Sequence, residues 1–126
     1  MKMRTKEIVL DDEDGFVLNP GQFILAHTME VFCVPDNIAA FFWAKSSMGR
    51  TGLEHMASGF ADPGFYGSLT LELTNCLQHH SIRIRPGDRI GQLVFSKGRT
   101  VKDEHSYKSR GNYNGRPGVM PISFKD

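Results

Sequence analysis

The stretch Gly67-Ser68-Leu69-Thr70-Leu71-Glu72-Leu73-Thr74-Asn75, GSLTLELTN, decides the fold class. Leu69, Leu71 and Leu73 fall on one face of an extended chain, and Ser68, Thr70, Glu72 and Thr74 on the other, which predicts a half-buried β-strand. Similar short runs occur at residues 6–10 (KEIVL), 21–28 (GQFILAHT), 29–34 (MEVFCV), 38–44 (IAAFFWA), 81–85 (SIRIR) and 89–96 (RIGQLVFS). Turn-forming residues separate them: Asn19-Pro20-Gly21, Pro35-Asp36-Asn37, Asp62-Pro63-Gly64 and Pro86-Gly87-Asp88. Short strands with frequent turns predict an all-β domain, a distorted jelly roll or β-sandwich. One short helix is expected at SSMGRTGL, with Ser46 or Ser47 as its N-cap. From about Gly98 the chain turns polar and basic and reads as a mobile tail, dividing it into a β core over 1–97 and a tail over 98–126.

A chain of 126 residues forms one domain with one core. Fifteen Lys and Arg against fourteen Asp and Glu leave a formal charge of +1, so no global basic field recruits nucleic acid. No apolar run reaches the length of a membrane span. Cys33 and Cys76 read as reduced, core-packed thiols, and with no signal peptide in view the expected location is the cytoplasm. A zinc deaminase needs a His or Cys ligand near a Glu and a later C-x-x-C pair, and neither spacing occurs, so no zinc is expected. His79 and His80 are adjacent and would point to opposite faces of a strand. Nucleophile elbows, Walker loops and dinucleotide fingerprints are absent.

The remaining signals lie between Lys45 and Asn75. Lys45, Ser46, Ser47 and Arg50 place two positive charges and two hydroxyls around a helix start, which suits an oxyanion or equally a plain capped helix. Asp62-Pro63-Gly64-Phe65 is a tight turn headed by an acid, also readable as an ordinary Asx turn. Glu72 alone reads as a solvated strand residue.

In order and spacing, however, the runs KSSMGRTGL, SGFADPGFYG, LELTN and PGDRIGQLVF together resemble the dCTP deaminases, which belong to the trimeric dUTPase-like superfamily. The resemblance runs from about Glu7 into the tail, and Glu72 distinguishes it from the dUTPases. It implies a dUTPase-like fold and conversion of dCTP to dUTP and ammonia without a catalytic metal. Water must attack C4 of the cytosine, and a carboxyl group in a desolvated site can take its proton and return one to the departing ammonia. By resemblance Glu72 is that general base and acid, assisted by Ser46 and Arg50.

The resemblance also implies a substrate-binding set. Lys45, Ser46, Ser47, Met48, Gly49 and Arg50 would surround the phosphates, with Lys45 where the family usually has arginine, so the bidentate fork is lost. Asp62 would accept from the deoxyribose 3′-hydroxyl, and Phe65 would lie against the sugar and exclude a 2′-hydroxyl. Backbone groups of Thr70 and Leu71 would read the base, and Gln92 would line the nucleotide. Mg2+ would arrive with the triphosphate. In the tail, Tyr107, Asn112 and Arg116 would close over the phosphates, although Asn112 stands where lysine is usual and Arg116 where glutamine is usual. The family further implies a homotrimer with shared active sites and feedback by dTTP. Relative to it, this chain is expected to be a short form lacking the usual N-terminal stretch. Two other activities fit: a bifunctional enzyme giving dUMP and pyrophosphate, and a non-catalytic nucleotide-binding protein.

Overall fold

The computed structural model describes residues 5–115 and Gly118. Its strands are β1 (Phe16–Leu18), β2 (Phe23–His27), β3 (Phe32–Cys33), β4 (Ile38–Ala44), β5 (Leu53–His55), β6 (Phe60–Ala61), β7 (Tyr66–Gly67), β8 (Thr70–Asn75), β9 (Ile82–Ile84) and β10 (Gly91–Lys97). All pair antiparallel, as two three-stranded sheets, β10-β4-β6 and β2-β8-β5, and two ribbons, β1-β9 and β3-β7. Leu71 and Leu73 of β8 turn inward as their alternation requires, and pack in one cluster with Phe42, Leu18, Leu53, Ile82 and Ile84. A second cluster joins Val34, Ala40, Ala61 and Phe65. The result is the expected jelly-roll arrangement.

The alternation of β8 continues inward to Asn75, 1% exposed, an amide buried at no loss because it is fully bonded. Its Nδ2 donates to the carbonyls of Leu18 and His80, and its Oδ1 accepts from the Leu77 amide. This one side chain ties β8 to the end of β1 and to the approach to β9.

Several expectations need correction. Residues 6–10 form no strand, and Val9 is 89% exposed, since no strand among the described residues pairs with them. The helix α1 (Ser46–Gly49) is capped by Lys45, with no side-chain cap bond, so neither Ser46 nor Ser47 is the N-cap. Cys33 and Cys76 are free thiols as read, but both are exposed instead of core-packed.

Residues 98–115, expected to be mobile, carry a 3-10 turn (Asp103–His105) and a helix α2 (Tyr107–Arg110) held against the core. Ser106, 1% exposed, donates from Oγ to Asp36 Oδ1 at 2.7 Å, and Lys108 Nζ reaches Asp36 Oδ2 at 3.2 Å. The Ser106 hydroxyl first, and the Lys108 ammonium second, hold the Asp36 carboxyl below its ordinary range. Further along, Asn114 Oδ1 accepts from the Tyr66 amide, and Gly115 N–H donates to the Tyr66 carbonyl.

Candidate functional site

Glu72 sits mid-strand in β8, opposite Leu25 of β2, its side chain 26% exposed. The strand pairing places β5 on the other side, so its last residue, His55, reaches the same carboxylate. His55 Nε2 lies 3.3 Å from Glu72 Oε2, and Ser58 Oγ donates to that oxygen at 2.9 Å. The His55 side chain is 3% exposed, its ring centroid 4.6 Å from that of Phe42. Burial pushes its imidazole below the ordinary value, and the nearby Glu72 charge opposes that shift without reversing it. Nε2 makes no hydrogen bond, so the 3.3 Å approach to Glu72 is an electrostatic contact out of line for one.

Beside this cluster opens a cavity of about 530 Å³ whose walls include Phe41, Trp43, Lys45, Ser46, Gly49 and His55. Lys45 and Ser46 enter it because the Lys45 amide donates to the Ile90 carbonyl, fixing where β4 gives way to α1. Gly49 lines the cavity from the end of α1. Ser47 and Arg50 are exposed, and Met48 packs against the main core instead of facing a ligand. Glu72 is not part of the wall, but it touches His55, which is.

Asp62 belongs elsewhere in the single chain. With Tyr107, Arg110, Gly111, Asn112 and Tyr113 it lines a second cavity of about 320 Å³. The turn that presents it requires glycine at position 64, where φ is +86° and an added Cβ would strike Ser106 and Asp36. Phe65 is 7% exposed and packs on the ring of Tyr107, with centroids 5.7 Å apart, so in this conformation it meets the tail. Burial pushes the Tyr107 phenol up. Thr70 and Leu71 lie opposite His27 and Ala26 in the β2-β8 ladder, and the Leu71 side chain is core. Neither lines either cavity. Gln92 is exposed on β10 opposite Trp43. Arg116 lies outside the described residues.

The expected set is therefore brought together in two groups, not one. Lys45, Ser46 and Gly49 flank the first cavity, with Glu72 in contact with His55 of its wall, while Asp62, Tyr107 and Asn112 gather at the second. Sequence reasoning missed His55 and Ser58, which lie in the stretch His55-Met56-Ala57-Ser58 just before the GFADPGF turn.

Known structures share this architecture. A structure described as "EIAV DUTPASE NATIVE" superposes with a TM-score of 0.58 at 24% identity, covering 72% of this chain and 78% of the other. A mutant dUTPase from phage phi11 of Staphylococcus aureus gives 0.61 at 18%, covering 74% and 77%. At these identities the likeness establishes a dUTPase-type fold. The family model described as dCTP deaminase-like matches residues 2–98. Among curated relatives, "dCTP deaminase, dUMP-forming" of Mycobacterium tuberculosis H37Rv is 45% identical over 114 residues, 87% of this chain and 59% of its own length. The protein of the same name from Mycobacterium ulcerans Agy99 is 46% identical over 112 residues, 86% and 58%. The chain belongs to the dCTP deaminase-like family, and it spans about three fifths of the length of these relatives.

Proposed function

We propose that this protein deaminates dCTP and carries the product on to dUMP and pyrophosphate. The observation that carries the first step is the Glu72 carboxylate, partly desolvated and engaged by Ser58 and His55 beside the first cavity. Water adds across the C4=N3 bond, its oxygen to C4 and its proton through Glu72 to N3, and the tetrahedral centre collapses to the C4 carbonyl as Glu72 passes the hydroxyl proton to the amino group, which leaves as ammonia. Lys45, Ser46 and Arg50 supply positive charge and donors for the phosphates. Mg2+ would enter bound to the triphosphate, held by phosphate oxygens and water more than by protein. The second step, hydrolysis to dUMP, is favoured over release of dUTP by the names of the relatives.

The separation of the two residue groups supports a homotrimer in which sites are completed between subunits. A largely exposed apolar row fits such an interface: Phe60, the half-buried Phe41 and Val94 lie in register across β6, β4 and β10, with Trp43 beside them. Phe60, Val94 and Trp43 are 48%, 45% and 62% exposed. Within this reading residues 1–97 form the core and 98–126 the lid, with Asp62 and Phe65 recognising the deoxyribose, Thr70 and Leu71 the base, and Gln92, Tyr107, Asn112 and Arg116 completing the nucleotide site. dTTP would act as a competing regulator.

The deciding experiment incubates the protein with dCTP and Mg2+ and follows ammonia, dUTP, dUMP and pyrophosphate together. Ammonia with dUMP and pyrophosphate is expected. Ammonia with dUTP alone would establish a monofunctional deaminase, and nucleotide binding without ammonia a binding protein.

A further inference from the structure

The loop between β5 and β6 carries a residue that none of these roles uses. Ser58 donates to Oε2 of Glu72 across 14 positions of sequence. Because His55 Nε2 is not aligned to bond that oxygen, Ser58 provides the directional contact to the carboxylate among the described residues. The loop that holds it is anchored on both sides. The Met56 amide donates to the Glu72 carbonyl at 3.0 Å, the Ser58 amide to the Met56 carbonyl at 2.7 Å, and the Phe42 amide to the Gly59 carbonyl at 2.6 Å. Gly59 permits that approach, since an added Cβ would stand 2.6 Å from the Phe42 carbonyl oxygen. Ser58 is thereby fixed with respect to the backbone of the residue it bonds.

We propose that Ser58 is a positioning residue for the deamination step, holding Glu72 Oε2 so that Oε1 is presented to the attacking water. The inference rests on the reading of Glu72 as the proton carrier. A hydroxyl suits this task in both protonation states of the acid: it donates to Oε2 of the carboxylate, and by rotating it can accept from a protonated Oε2. The water's proton and the one returned to ammonia then move through a carboxyl group that keeps a constant orientation.

The test compares Ser58→Ala and Ser58→Thr with the unchanged protein. A hydrogen bond to a charged group is strong enough that its loss should lower kcat for ammonia release about tenfold or more, with KM for dCTP little changed. Ser58→Thr, which keeps the hydroxyl, should retain most of the rate. A readout free of activity is a double-mutant cycle on the unfolding midpoint, in which Ser58→Ala should cost less in a Glu72→Ala background than alone. Unchanged kcat in Ser58→Ala, a change confined to KM, or strictly additive midpoints would overturn the proposal. Coupled midpoints in a protein that releases no ammonia would defeat the deamination reading instead, leaving the pair as a structural clamp and the positioning role refuted.

Discussion

His55 Nε2 stands 3.3 Å from Glu72 Oε2, although the buried ring favours its uncharged form. Because burial depresses the folded-state value, the unfolded chain takes up a proton at a higher pH than the native protein does. The associated stability is fully present above the ordinary imidazole value of about 6.5 and is lost as pH falls from there through the folded value. Unfolding midpoints measured from about pH 8 to about pH 5 should decline less steeply for His55→Gln than for the unchanged protein. Parallel curves would show that His55 titrates alike in both states.

Glu72→Gln would remove the proposed proton carrier while keeping the shape of the side chain. Ammonia release from dCTP should fall by about 10²–10⁴-fold, the usual worth of a general acid–base group. Nucleotide affinity, read by equilibrium binding of dCTP, should change little. A variant with normal turnover would remove Glu72 from the chemistry.

Ser106→Ala cuts the hydroxyl from the Asp36 contact that holds the tail. Amide exchange over residues 98–115 should quicken by about tenfold, while the β8 amides keep their protection. Because the Asp36 carboxyl is held below its ordinary value, the latch is intact above about pH 3.8 and loosens as pH falls through the folded-state value. Protection of this segment, corrected for the slower intrinsic exchange at low pH, should therefore be lost on acidification before that of the core.

Gly91→Ala should be destabilising, because a Cβ at that position would enter the ring of the buried Phe42. Overpacking of this kind costs about 1–3 kcal/mol, measurable as a lowered midpoint in denaturant. Phe42 also supports His55, so the same variant should reduce ammonia release beyond its effect on stability.

The elements legible in the sequence are those long enough to show a period. β4 occupies the expected run from Ile38 to Ala44 without change, and β8 ends where its alternation ends. β1, β5 and β6 are not legible, since two or three residues such as Phe60 and Ala61 carry no alternation and become strands only by pairing with β9, β8 and β4. The tail misleads for a related reason. Its polar composition argues against a core of its own, yet Ser106 and Asn114 bond groups the rest of the chain supplies. Glu72 stands out because a carboxylate interrupts the uncharged face of a strand. His55 and Ser58 follow no motif, and their meaning arises only when β5 is laid against β8.

Trp43 is the chain's one tryptophan, and its indole, 62% exposed, borders the first cavity. The protein thus carries an intrinsic fluorophore at the place where a ligand would enter. A nucleotide base stacking on or near that ring would alter its emission, and subunit association over the same sheet would shift it toward shorter wavelength. Occupancy and assembly can both be followed optically without a label, and separated by varying nucleotide at fixed protein concentration and then protein at fixed nucleotide.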